Sequence, residues 1–324
     1  MYDVISIGSA YLDIFVKSNQ FKLVNNDQFA SGVAMCEAYG AKIEVDDITL
    51  ASGGGATNSA VSFARKGLKT SCISEMGKDL PAGMIINDLK NEQVDISMLV
   101  QEVSEKTAMS VVMVAPEGGR SIITYRGASG MLQENDIPWE RLPTKWFYIT
   151  SLGGHMDLLS KLMNYSKEFG IKMALNPGSK ELKFNQQIRI IGKQADILSL
   201  NIEEAANYLE INVNNEKDIL SGLKSEGGQI TLLTLGPKGA YVVTKEKTWF
   251  CPPSENKPVE TTGAGDAFGS GFVAGQIFGW DIEKSTQFAI VNASSVINYL
   301  GAKQGLLTLE QFNKLKLQEI KQLN

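Results

Sequence analysis

The sequence predicts an α/β protein built on a mostly parallel sheet with helices on both faces, accompanied by a small separate β-sheet. Three observations carry this. From Lys145 onward, short apolar strands and helical stretches alternate regularly, the pattern that generates parallel sheets. Upstream, a β-dense block at 94–126 and a polar excursion at 19–47 interrupt that order, as an inserted sheet would. Two glycine-rich turns, Ser52–Asn58 and Thr262–Asp266, each run into a helical pattern, placing flexible backbone where such sheets bind ligands.

Taken in order, Val4–Ile7 is a β-branched run stopped by Gly8 and reads as a buried first strand. Tyr11–Val16 reads as a second, interrupted by Asp13, which is either a solvent-facing edge residue or a carboxylate turned into a cleft. Within the excursion, 33–36 and 41–45 are extended candidates. Ser59–Gly67 reads as a helix stopped by glycine, Thr70–Ser74 as a strand, and Leu80–Gln93 as a helix with Pro81 near its start. Ser97–Val100, Ala108–Ala115 and Arg120–Tyr125 read as strands, the last two joined by a turn at Pro116–Gly119. The small sheet is therefore expected from about 10–18, 33–50 and 94–126, inserted in a single domain spanning 1–324. Strands at Trp146–Thr150, Lys172–Leu175, Ile197–Leu200 and Ile230–Leu235 then alternate with helices at Leu158–Phe169, Glu181–Lys193, Glu203–Tyr208 and Glu216–Glu226. A hairpin at Gly239–Phe250, helices from about Ala264 to Gly279 and Glu283 to Leu300, a turn at Gly301–Gly305 and a final helix from about Leu309 complete the reading.

With 324 residues, 43% hydrophobic and 21% charged, the chain can bury a large core. A net charge of -5 argues against a nucleic-acid partner. Three widely spaced cysteines form neither a disulfide framework nor a zinc set, so a reducing cytoplasm is the expected location. The N-terminus lacks a signal-peptide pattern, and no apolar run reaches the ~18 residues of a membrane span. His155 is the single histidine, which excludes Ser-His-Asp and multi-histidine metal chemistry and leaves carboxylate, lysine or tyrosine as a base.

The turn Thr262-Gly263-Ala264-Gly265-Asp266 concentrates the chemistry. Backbone N–H groups at a helix start, left accessible by small residues, form an anion site backed by the helix dipole. Asp266 beside it is either a proton acceptor or a simple helix cap. Asp13, then Gly53-Gly54-Gly55 with Asn58, then Asn201 and Glu204, and lastly this turn stand in an order and spacing that resembles the ribokinase-like, PfkB-type carbohydrate kinases over nearly the whole chain. The resemblance implies a three-layer α/β/α fold with the small sheet as a lid, and ATP-dependent phosphorylation of a hydroxyl on a sugar or sugar-like molecule.

In that reading Asp266 accepts the hydroxyl proton while the Gly263, Ala264 and Gly265 backbone holds the phosphoryl group, an arrangement sufficient for a reaction that needs mainly positioning and charge stabilisation. Asp13, Gly53, Gly54, Gly55 and Asn58 match the sugar contacts; the family often carries a lysine or other polar residue in place of Gly55. Asn201 and Glu204 match the element that organises Mg2+, mainly through water, although alone they read as a helix cap. Thr234, Gly236 and Gly239 match the nucleotide loop, and Asn292 falls where the adenine pocket is expected. Glu260 stands near the site that binds potassium in some relatives, so K+ is a further expectation, as is a homodimer through the lid. Other nucleotide motifs are absent: there is no Walker sequence, no protein-kinase catalytic loop and no dinucleotide fingerprint. A nucleoside kinase of the same family and a non-catalytic sugar or nucleotide sensor stay open as alternatives.

Overall fold

The computed structural model describes residues 1–29, 32–115, 119–253, 258–315 and 317–323. The chain runs β1 (Tyr2–Ile7), β2 (Tyr11–Lys17), β3 (Lys22–Asn25), β4 (Val33–Cys36), β5 (Asp47–Gly53), α1 (Gly55–Ala64), β6 (Thr70–Ile73), β7 (Glu75–Gly77) and α2 (Leu80–Asn91). It continues through β8 (Val100–Glu102), β9 (Met109–Val114), β10 (Arg120–Tyr125), β11 (Thr144–Ile149), α3 (Met156–Glu168), β12 (Lys172–Leu175), α4 (Asn185–Gly192), β13 (Ile197–Asn201), α5 (Ile202–Leu209) and α6 (Glu216–Glu226). The last third holds β14 (Ile230–Thr234), β15 (Ala240–Val243), β16 (Thr248–Cys251), α7 (Ala264–Ile277), α8 (Ile282–Val296), α9 (Leu309–Phe312) and β17 (Lys321–Leu323).

The large sheet has the order β17-β16-β15-β14-β13-β12-β11-β1-β6. Its strands from β14 to β6 are parallel, and β15 to β17 close one edge antiparallel. Because successive strand residues face opposite sides, β1 and β11 divide their side chains between two cores. Val4, Trp146 and Tyr148 pack under Phe63, Phe268, Phe272 and Phe288, whereas Ile5, Ile7, Phe147 and Ile149 pack against Leu159, Leu162 and Ile188. This is the predicted three-layer architecture.

A second sheet, β10-β9-β2-β5, stands apart from the first. Here β2 pairs parallel with β9 and antiparallel with β5. Several expectations need correction. The strand at 41–45 does not form; the chain becomes extended only at Asp47, and β4 pairs with β3 in its own hairpin instead of joining the lid. Ser97–Val100 yields β8, which pairs with β7 outside the lid. The helix expected at 181–193 begins as a separate single turn at Glu181–Lys183. The expected last helix ends at Phe312, after which β17 joins the edge of the large sheet. Of the turn at Pro116–Gly119, residues 116–118 lie outside the described residues. Among the described residues, no helix is long and apolar enough to cross a membrane, and the three cysteines are unpaired.

Candidate active site

Helix α7 begins at Gly263, whose φ of 78° is left-handed and whose close packing against Ala302 leaves no room for a Cβ. No side chain caps this helix. Gly265 faces open space, so its backbone is accessible to a ligand. Asp266 lies in the first turn, yet its carboxylate turns away from the helix end and accepts a 2.8 Å hydrogen bond from Asn58 Nδ2. The capping alternative therefore fails: the carboxylate is held by a side chain from another helix. Burial raises the Asp266 pKa, while the Asn58 hydrogen bond and the positive charge of Lys303 oppose the rise and Asp13 adds to it.

Asn58 lies on α1, directly after the glycine turn, and is 4% exposed. With Nδ2 committed to Asp266, its Oδ1 is buried and has no partner among the described residues. A buried acceptor of this kind calls for a donor, a role that a hydroxyl group fits chemically. Asp13 is positioned by register: on β2 it lies opposite Ala51 of β5 and beside Ser110 of β9. Ser110 Oγ donates to Asp13 Oδ1. A side chain at Gly53 would collide with the Asp13 carboxylate, which explains glycine at that point of β5. Burial raises the Asp13 pKa, opposed by the Ser110 hydrogen bond and by Lys303 and reinforced by Glu260. At Gly55 a Cβ would stand 2.7 Å from Thr150, so a longer side chain has no room here. Gly54, at φ 95°, approaches the Ser9 carbonyl.

A cleft adjoins this cluster, lined by Asn176, Ser199, Asn201, Glu204, Thr234, Gly263, Gly265 and Asp266. Asn201 and Glu204 form a reciprocal cap on α5: Asn201 Oδ1 accepts from the Glu204 N–H at 2.8 Å, and Glu204 Oε2 accepts from the Asn201 N–H at 2.9 Å. Capping and cleft-lining thus coincide in the same two residues. Burial raises the Glu204 pKa, the Asn201 hydrogen bond lowers it, and Asp266 raises it further. Among the described residues no group of three or more His, Cys, Asp or Glu side chains could hold a metal alone. One carboxylate beside an anion site suits magnesium, which keeps its waters and leans on phosphate oxygens.

Thr234 and Gly236 lie at the end of β14, Thr234 on the cleft wall and Gly236 facing open space. Gly239 is a tight turn against the Cys251 carbonyl. Asn292 must be corrected. It is fully buried, its Nδ2 donates to the Ala267 carbonyl at 2.8 Å and its Oδ1 accepts from the Leu307 N–H at 2.9 Å, so it braces α7 from inside the core and does not face a cleft. Glu260 is 2% exposed; its Oε1 accepts from the Thr262 N–H and hydroxyl and pairs with Arg120 of β10 at 3.3 Å. His155, at the start of α3, bonds the Gly130 carbonyl.

Sequence reasoning missed Ser110, Arg120, Ser199 and Lys303. Ser110 and Arg120 sit in ordinary strand sequence and acquire meaning only from pairing across strands. Asn176 directly follows β12, at the kind of strand end where ligands collect.

A mostly parallel open sheet with a carboxylate in the first turn of an uncapped helix is an arrangement that suits phosphoryl transfer. The family model for pfkB family carbohydrate kinases matches residues 22–309, and the chain belongs to that family. Its activity class follows: a phosphotransferase with an alcohol group as acceptor. Ribokinase from Staphylococcus aureus (strain COL) is 27% identical over 298 residues, covering 90% of this chain and 96% of the relative. The fold is shared with Arabidopsis thaliana ribokinase solved with ribose and ATP (TM-score 0.79, 21% identity, 97% of this chain and 98% of that one). It is shared equally with ribokinase from Cryptococcus neoformans var. grubii serotype A solved with ADP (TM-score 0.78, 20% identity, 97% and 99%).

Proposed function

We propose that the protein transfers the γ-phosphoryl group of ATP to a hydroxyl of a sugar. The carrying observation is the Asn58–Asp266 hydrogen bond, which holds a half-buried carboxylate of the first turn of α7 toward the α1 side of the cleft in place of capping the helix. Asp266 accepts the proton of the attacking hydroxyl late in transfer, when that proton has become acidic. The N–H groups of the Gly263-Ala264-Gly265 turn meet the phosphoryl oxygens. Asp13 and Asn58 accept from the sugar's other hydroxyls, a task their buried oxygens suit. Glu204, with Asn201, would hold Mg2+, which would supply charge neutralisation for the phosphates, and Thr234 and Gly236 would border the nucleotide. The ATP and ribose of the Arabidopsis ribokinase support this choice of donor and acceptor class.

Potassium is not part of the proposal, because the Arg120 guanidinium already brings a positive charge to Glu260. A homodimer through the lid is part of it. The test is ADP release by the full chain over a panel of pentoses, hexoses, sugar acids, sugar phosphates and nucleosides, with Asp266→Asn alongside. We expect turnover on a sugar and a fall in kcat of about 10²–10⁴-fold in the variant, with ATP affinity largely retained. Wild-type-like kcat in Asp266→Asn would sink the mechanism. Turnover on nucleosides alone would reassign the acceptor, and silence across the panel would favour a sensor.

A further inference from the structure

Lys303 is 7% exposed, an unusual place for an ammonium group. Its Nζ donates to Ser52 Oγ and, at 3.1 Å, to Asp88 Oδ2 of α2, and the Ser52 hydroxyl donates to the same Asp88 oxygen. Ser52 belongs to β5 of the lid and directly precedes the glycine turn that contacts Asp13. On the other side, the neighbouring Ala302 packs against Gly263, the first residue of the phosphate-side turn. The backbone around Lys303 is clamped in turn: Arg65 Nη1 of α1 donates to the carbonyls of Lys303 at 2.7 Å and Leu306 at 3.0 Å.

The loop carrying Lys303 thus touches both halves of the site. Burying an ammonium costs stability unless it is paired, so a lysine here calls for a reason. Asp88 supplies one counter-charge; Cys72 of β6, Asp13 of β2 and Asp266 of α7 also face this environment. Asp266 is faced in addition by Asp13, by Glu204 of α5 and by Tyr148 of β11, and Asp13 by Glu260 and Tyr11. Among these converging carboxylates burial pushes the Lys303 pKa down, and Asp88, through its charge and hydrogen bond, opposes the fall and supports the ammonium form.

We propose that Lys303 is a positioning residue for phosphoryl transfer: it ties the acceptor-side turn, through Ser52, to the loop backing the phosphate-side turn, and directs an ammonium charge supported by Asp88 toward Asp13 and Asp266. The inference rests on the kinase reading above. Lys303 touches neither substrate nor phosphate. It acts through the two aspartates and through the spacing of the two turns.

The test compares pH profiles of kcat/KM for wild type, Lys303→Met, Lys303→Arg and Asp88→Asn, using the best acceptor from the panel. In Lys303→Met we expect kcat to fall at least about tenfold and the acid limb to move up by about half a unit to one unit, since a nearby cation favours the charged carboxylate. Lys303→Arg should restore the wild-type limb. Asp88→Asn should move the limb in the same direction, because Asp88 opposes the burial-driven fall of the Lys303 pKa and its loss favours the neutral amine. A folded Lys303→Met with an unmoved acid limb overturns the proposal, since a merely structural pillar would change melting temperature alone. Should Lys303→Met fail to fold, an unmoved limb in Asp88→Asn overturns it equally. Absence of turnover in the wild type would instead defeat the kinase reading itself.

Discussion

Lys66, near the end of α1, shows how one residue can oppose the fold that contains it. It is 3% exposed and has no ion-pair partner among the described residues; its ammonium donates to the Ser62 carbonyl and hydroxyl, both at 2.8 Å, and lies 5.1 Å from the centre of the Phe288 ring. Burial, with help from Arg65, pushes its pKa from 10.5 down to about 7. Between those two values the unfolded chain binds a proton that the folded chain does not, so this group makes stability rise with pH from about 7 to 10.5. Below pH 7 both states are protonated and the penalty is constant; above 10.5 it vanishes. Replacing Lys66 with methionine should therefore stabilise the protein at pH 7 by about 1–3 kcal/mol, after allowing for the lost hydrogen bonds to Ser62. Urea melts should show that gain shrinking toward zero as pH approaches 10.5. A Lys66→Met chain less stable than wild type at pH 7 would show that the ammonium contacts outweigh burial. None of this was legible beforehand, because a lysine closing a helix reads as a solvated end.

At the scale of elements, α5 joins folding and site chemistry in one motif. The reciprocal cap of Asn201 and Glu204 satisfies two backbone N–H groups and simultaneously holds the Glu204 carboxylate at the cleft. Asn201→Ala should cost about 1 kcal/mol in urea unfolding and also raise the magnesium concentration needed for half-maximal rate; Asn201→Asp should recover most of the stability. Loss of stability with unchanged magnesium dependence would confine Asn201 to capping. The same elements show what the sequence made visible. The alternating strands and helices after Lys145 were legible because each strand is a continuous apolar run, and Asp13, Asn58 and Asp266 because each interrupts or follows an apolar or glycine pattern. β5 was missed because Ile48 and Leu50 are exposed on it and its last residues looked like a glycine turn. β17 was missed because Lys321–Leu323 is a three-residue edge strand with no apolar alternation, held by pairing with β16. Asn292 misled for another reason: its place in the family resemblance suggested the adenine pocket, whereas its amide satisfies two buried backbone groups.

For the whole molecule, the lid poses the largest unanswered packing question. Register places alternate residues of its four strands on opposite faces. One face carries Asp13, Phe15, Ser110 and Val112 toward the site. The other collects Ile14 of β2, Ile48 and Leu50 of β5, Val111 and Met113 of β9 and Ile123 of β10, of which Ile48 is 54%, Leu50 48% and Ile123 62% exposed. A contiguous apolar sheet face left in water marks an interaction surface, and both β5 and β10 are edge strands of this sheet. A second copy offers the same apolar face and two more unpaired edges, so an isologous pair can cover both faces at once. The expected mass in sedimentation velocity is therefore twice that of the 35.3 kDa chain. Ile48→Asp and Ile123→Asp should each shift the equilibrium to monomer, because a buried unpaired carboxylate at such an interface costs several kcal/mol. Since the opposite face of the same strands carries Asp13, the monomeric variants should also show a raised KM for the acceptor, with kcat at saturation changed less. A wild-type chain that sediments as a monomer at tens of micromolar would remove the dimer, and with it any link between the outer face of the lid and the sugar site.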